Sequence, residues 1–72
     1  MSKDDLSKIS YVEIAINVLG DALQKLQEHD YTSARVMTAV ARQVLEDLQL
    51  DFDQHFQVEE KLKQLLNQSL NQ

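Results

Sequence analysis

A chain of 72 residues with a formal charge of −5, no cysteine, no proline and one glycine cannot hold a disulfide framework or a thiolate zinc site. A single core of this size supplies only about 3 to 5 kcal/mol, so self-association is the expected staple. The acidic balance repels nucleic acid and anionic lipid on average. No apolar run reaches the roughly 18 residues of a membrane span, and the first residues lack the apolar stretch of a signal peptide, so the expected location is the cytoplasm.

Residues 1–9 read as a polar lead-in, followed by Ser10-Tyr11-Val12-Glu13 with the spacing of a capping box and by Ile9 and Ile14 at the positions of a hydrophobic staple. These signals predict a first helix over residues 10–28. Leu6 and Ile9, at i and i+3, give an alternative start near Asp4. Tyr11, Val12, Ile14, Ala15, Ile16, Val18 and Leu19 are interrupted only by Glu13 and Asn17, more apolar surface than the single stripe of an amphipathic helix. The surplus predicts burial on more than one face. Gly20, inside this helix, costs about 1 kcal/mol relative to alanine; it reads either as a point of close backbone approach or as a bend.

The apolar pattern stops after Leu26, and His29-Asp30 makes a short polar break with Asp30, or secondarily Thr32, as the cap of the next helix. So short a connection predicts antiparallel neighbours. The second helix, expected over 31–50, carries Ala34, Met37, Ala41, Val44 and Leu48 in a three-four rhythm, with Val40 and Leu45 widening the stripe. Val12, Ala15, Leu19, Ala22 and Leu26 have the same rhythm and are the expected facing seam, at a crossing of about 20°.

Continuing that rhythm past Leu48 puts Asp51 and His55 into an apolar seam, which favours a break at residues 51–52 with Asp51 or Asp53 as cap. A shifted stripe of Leu45, Leu48, Phe52 and Phe56 running straight on is the alternative. A third helix is expected over 53–68, built on the helical spacing of Phe56, Val58, Leu62, Leu65, Leu66 and Leu70, and residues 69–72 form a polar tail expected to fray.

Constellations that carry chemistry are sparse. Asp51, His55 and Glu59 fall four and four apart, the spacing of ligands along one helical stripe, though such a stripe is more often a solvated face. His29 sits in a turn. The serines are accounted for by termini, caps or exposure, and one glycine rules out a phosphate-cradling glycine loop, so neither an enzyme nor a cofactor site is expected. Arg35 and Arg42, seven apart, share a face with Thr38 and Gln49 and would present four arginines in a dimer. Against this, twelve acidic residues outweigh seven basic ones, and Glu46 is placed to pair with Arg42.

Asp30, Tyr31, Ala34 and Ala41 fall where a tetratricopeptide repeat places its turn and second-helix residues, so this half of the hairpin resembles half of one such repeat. The first helix departs from that pattern at Val18, Asp21, Ala22 and Lys25, as does Glu46 later on. Shared hairpin geometry is all the resemblance implies.

The expected fold is all-α: an antiparallel helical hairpin plus a C-terminal helix, in one domain, associating as a homodimer into a helical bundle. Tyr11, Val12, Ile14, Ile16, Val18 and Leu19 are the expected interface, with Phe52 and Phe56 closing one end. The expected function is that of a small, acidic, non-enzymatic regulator or adaptor that binds another protein through helical surfaces. The alternative is a dimeric nucleic-acid-binding regulator using Arg35 and Arg42.

Overall fold

A computed structural model describes residues 3–70, apart from the side chains of Asp4 and Leu70, as two helices and no strand among the described residues. Met1, Ser2 and the last two residues of the expected tail lie outside the described residues. α1 spans Lys3–Gln27 and α2 spans Tyr31–Leu70. They pack as an antiparallel hairpin.

The start of α1 follows the alternative reading rather than the clean start at Ser10. Ser10 and Glu13 are interior residues of the helix, so the capping box has no free helix terminus to serve. Leu6 and Ile9 extend the helical surface, although both are exposed.

The turn is built by local hydrogen bonds. The Asp30 amide donates to the Lys25 carbonyl at 2.8 Å and the His29 amide to the Leu26 carbonyl at 3.0 Å, the paired six-to-one and five-to-two bonds of a Schellman motif. His29 occupies its left-handed position, with φ of 60°, where glycine is the usual residue. Asp30 then caps α2, as its sequence position predicts: its Oδ1 accepts from the Ser33 amide at 3.1 Å and its carbonyl from the Ala34 amide at 3.1 Å. Hydrogen bonding from the Ser33 side chain and then from the Ser33 backbone holds the Asp30 carboxyl below its ordinary pKa, with Lys25 adding a smaller pull. Because the folded value is the lower one, the stabilisation is complete above the ordinary aspartate range and is lost as pH falls through the lowered value.

The interface between the helices is made of small residues. Ala15, Ala22, Ala34, Ala41 and Leu48 are its buried members, and Tyr11, Val18, Met37 and Val44 are half-buried beside them. On α2 this is the seam predicted from the sequence. On α1 it is so only in part: Ala15 and Ala22 are buried as expected, but Val12, Leu19 and Leu26 lie outside, 42 to 47% exposed. The observed stripe is Lys8, Tyr11, Ala15, Val18, Ala22 and Lys25, rotated from the expected one toward α2. Two half-buried lysines complete it, their aliphatic stems covering apolar surface while the ammonium groups reach charge partners. Lys25 Nζ lies 3.5 Å from Glu28 Oε2.

Lys8 explains the second departure. The expected break at residues 51–52 is absent, and the segments expected as 31–50 and 53–68 form one helix of 40 residues. Asp51 does fall in the seam, but Lys8 Nζ lies 3.7 Å from its Oδ2. That oxygen is buried and accepts no hydrogen bond, so charge pairing alone compensates it. The same ammonium sits 5.8 Å from the Phe52 ring centroid, within range of a cation–π attraction. With its acid neutralised from across the hairpin and no proline or glycine nearby, α2 has no reason to end.

The hairpin is a thin plate, 66 × 22 × 11 Å between Cα extremes, with a radius of gyration of 18.5 Å. A compact chain of this length has a radius near 11 Å. The register set by Lys8 and Asp51, carried back along α1, brings Lys3 level with Phe56. Residues 57–70 therefore extend past the described start of α1 for about 21 Å at 1.5 Å per residue.

Gly20 is not a point of close approach within the chain: a methyl group placed on it meets nothing within 4 Å. The chain thus holds its one glycine where alanine fits and a histidine where glycine fits. Gly20→Ala and His29→Gly are each expected to stabilise by about 1 kcal/mol, raising the melting temperature by roughly 4 to 8 °C in thermal denaturation followed by circular dichroism. A loss of stability in Gly20→Ala would reveal a close neighbour from another molecule.

Candidate interaction surface

The rotation of the α1 seam leaves a second stripe beside it. Ile9, Val12, Ile16, Leu19, Leu23 and Leu26 recur at three-four spacing, one residue offset from the buried stripe, and every one is exposed, Ile16 by 62% and Leu23 by 57%. A helix with two adjacent heptad stripes offers two packing faces. α2 occupies one. The other looks outward along the whole of α1.

The same broad face continues onto α2 through a groove of about 670 Å³ between the helices. Leu19, Ala41 and Leu45 give it an apolar floor and wall; Thr38, Arg42, Glu46 and Gln49 line its α2 side. The Thr38 hydroxyl is turned inward, donating to the Ala34 carbonyl at 2.7 Å, which adds to the apolar character.

Of the residues expected at an interface, Val12, Ile14, Ile16 and Leu19 are exposed. Tyr11 and Val18 are half-buried within the hairpin's own seam, and Phe52 is half-buried under Lys8. Phe56, 60% exposed, stands where α2 leaves α1 behind. Ile14 is separated from the Val12, Ile16 and Leu19 stripe by helical rotation and faces the other flank. Missing from that expectation are Ile9, Leu23, Leu26 and Leu45. The repeat of Ile9, Val12, Ile16, Leu19, Leu23 and Leu26 is visible in the sequence, but assigning Val12, Leu19 and Leu26 to the internal seam conceals it.

The basic stripe is partly engaged. Arg42 Nε donates to Glu46 Oε1 at 3.1 Å on an exposed surface, the intrahelical pairing its spacing predicts, and Gln43 donates to Asp47 at 3.1 Å. Arg35 is exposed. The possible ligand stripe is dispersed into pairs: Asp51 faces Lys8, while His55 Nε2 lies 3.5 Å from Glu59 Oε1. No three such residues come together to hold a metal among the described residues. No helix among them is long and apolar enough to cross a membrane.

Comparison of the chain with protein-family models, with curated proteins and with solved structures returns no match. What the chain does must be argued from this surface.

Proposed function

We propose that the protein is a small, non-enzymatic, protein-binding regulator or adaptor, and that it works as a homodimer whose hairpins join through the outer stripe of α1 to form a helical bundle. The observation that carries this reading is the unbroken exposed heptad stripe from Ile9 to Leu26 with the groove beside it. Its size fits. The chain exposes 6088 Å², whereas a compact monomer of 8.3 kDa exposes about 4600 Å². The excess, about 1500 Å² per chain and so about 3000 Å² per pair, is well above a standard interface of roughly 800 Å² per partner and falls in the range of obligate homodimers. The net charge of −5 leaves the outer surface of such a dimer acidic, suited to a basic site on a partner protein.

The test is light scattering at micromolar concentration with affinity capture from the source cell. A molar mass near twice that of the chain and one stoichiometric protein partner support the reading; a monodisperse monomer that melts cooperatively removes the dimer.

The rival, nucleic-acid binding through Arg35 and Arg42, rests on their common face. It predicts a gel shift that weakens steeply with salt and is lost in Arg35→Ala/Arg42→Ala.

A further inference from the structure

The outer stripe of α1 stands in a particular relation to the α2 seam. At 3.6 residues per turn, a straight helix through residues 28–30 sets the stripe from Ile9 to Leu26 within about 10° of the seam from Ala34 to Leu48, whereas the inner stripe that packs in the hairpin lies about 90° away. The spacing runs on as well. Leu23, Leu26, Asp30, Ala34 and Met37 are three, four, four and three apart, a heptad pattern with one four-residue stutter, which a coiled coil absorbs by local unwinding. The bare stripe of α1 and the covered seam of α2 are two halves of one line. Nothing in the turn forbids that line: Glu28-His29-Asp30 contains neither proline nor glycine, and His29, at φ of 60°, is held in the left-handed region that side chains disfavour and is released from it in a straight helix.

We propose that the hairpin opens at His29 and Asp30 into one continuous helix, and that two such helices pair antiparallel about an axis at Asp30, each covering its outer α1 stripe with the α2 seam of the second copy in the manner of a domain swap. The layers select this occupant. In the hairpin, the level of Lys8 and Asp51 sets Tyr11, Ala15, Val18 and Ala22 across from Leu48, Val44, Ala41 and Met37. With the register advanced by one residue in the opened pair, the same four α2 residues face Val12, Ile16, Leu19 and Leu23 of the second copy, and Ala34 faces Leu26 in place of Lys25. These incoming side chains are the large ones that the hairpin leaves 42 to 62% exposed. Large meets small at Leu19 with Ala41 and at Leu26 with Ala34, as close packing of facing helices requires. The charges agree too: Lys8 stays within one residue of level with Asp51, so the ion pair of the hairpin re-forms between copies. A parallel pair instead sets large on large along α1, alanine on alanine along α2, and Asp51 against its own copy.

Asp30 decides between the two forms. In the hairpin its carboxylate caps α2 by accepting from the Ser33 amide; in the opened pair it meets Asp30 of the second copy at the axis, where two negative charges repel. The hairpin is the form that a charged Asp30 favours, and the larger apolar side chains favour the opened one. This inference rests on the reading of the outer α1 stripe as a self-association surface, and gives the two-chain assembly a second form beside the α1-joined dimer of hairpins.

Spin labels on Ser10→Cys/Gln49→Cys read the state of each chain, since the chain has no native cysteine and both positions are exposed. Labelled chain diluted into unlabelled chain reports distances within one molecule. Helix axes about 8 to 10 Å apart set the labels side by side in the hairpin, whereas residues 10 to 49 of a continuous helix set them about 58 Å apart. The long distance should gain population in the intact chain from micromolar to millimolar concentration and dominate in Asp30→Leu, which fills the axis layer. Asp30→Asn, which keeps a capping side chain and removes the charge, should raise it less, and His29→Gly, which suits the left-handed turn, should abolish it. Light scattering on the same samples should give twice the chain mass wherever the long distance appears. The proposal is overturned if the intact chain, Asp30→Asn and Asp30→Leu, with helix content kept by circular dichroism, all show the short distance alone at millimolar concentration. That result at twice the chain mass leaves the α1-joined dimer of hairpins standing; at the mass of one chain it removes both. A long distance at the mass of one chain overturns the proposal as well. Labels on Ser10→Cys alone, in the Asp30→Leu background, should lie about 60 Å apart between copies; side-by-side labels mean parallel pairing and also overturn it.

Discussion

Ile16→Glu combined with Leu19→Glu is expected to remove the α1-joined dimer and, with it, most of the chain's cooperative melting. In the proposed bundle four such side chains leave water per dimer, at roughly 1.5 to 3 kcal/mol for each fully buried one. Both residues are already partly covered in the single hairpin, so the lower figure applies, about 6 kcal/mol in all and close to a 10⁴-fold weaker association. The introduced carboxylates add a desolvation cost to any residual association. Light scattering on the variant should show that the α1-joined dimer has dissociated, and circular dichroism on the same samples should show a thermal transition broadened toward low temperature. Asn17→Glu with Gln24→Glu is the control: both positions are exposed and lie away from the stripe, the charge change is the same, and mass and melting should hold. A sharp, unshifted transition in Ile16→Glu/Leu19→Glu would mean that the alanine seam suffices by itself.

That expectation rests on how little the hairpin buries. Among the described residues its core consists of four alanines and one leucine, and α2 extends past the described start of α1. The larger side chains, Val12, Ile16, Leu19, Leu23 and Leu26 on α1 and Leu62, Leu65 and Leu66 on the last part of α2, remain outside. That last part does not fold back to shield the α1 stripe. A chain that keeps its small residues inside and its large ones outside leaves the apolar surface that the proposed dimer would cover.

The parts of this architecture legible in the sequence are those set by local chemistry. Asp30 declares itself as a cap because its carboxylate and the Ser33 amide are three residues apart, and the α2 seam is legible because each of its first five members is apolar. The α1 seam misleads because two of its positions are Lys8 and Lys25, whose charge hides their stems, while the neighbouring leucines look like better core. The break expected at residues 51–52 fails for a related reason. Asp51 is costly in a seam only while unpaired, and its partner Lys8 is more than forty residues away in the chain, a distance across which periodicity carries no information. The outward stripe is as regular as the buried one, and choosing between them takes the backbone.

The buried seam makes its own prediction through Ala41, 2% exposed and placed by the hairpin register level with Val18. Ala41→Leu is expected to destabilise by about 1 to 3 kcal/mol, because the added carbons must enter a seam whose width is set by alanines on both helices. At roughly 4 to 8 °C per kcal/mol for a chain of this size, the melting temperature should fall by roughly 5 to 20 °C. Ala39→Leu makes the same chemical change on an exposed turn of the same helix and should stay within about 0.5 kcal/mol of the parent, which separates crowding from helix propensity, since alanine and leucine are both strong helix formers. If Ala41→Leu melts no lower than Ala39→Leu, the helices do not approach closely at Ala41. The alanine-lined seam that packs Ala41 against α1 would then be wrong.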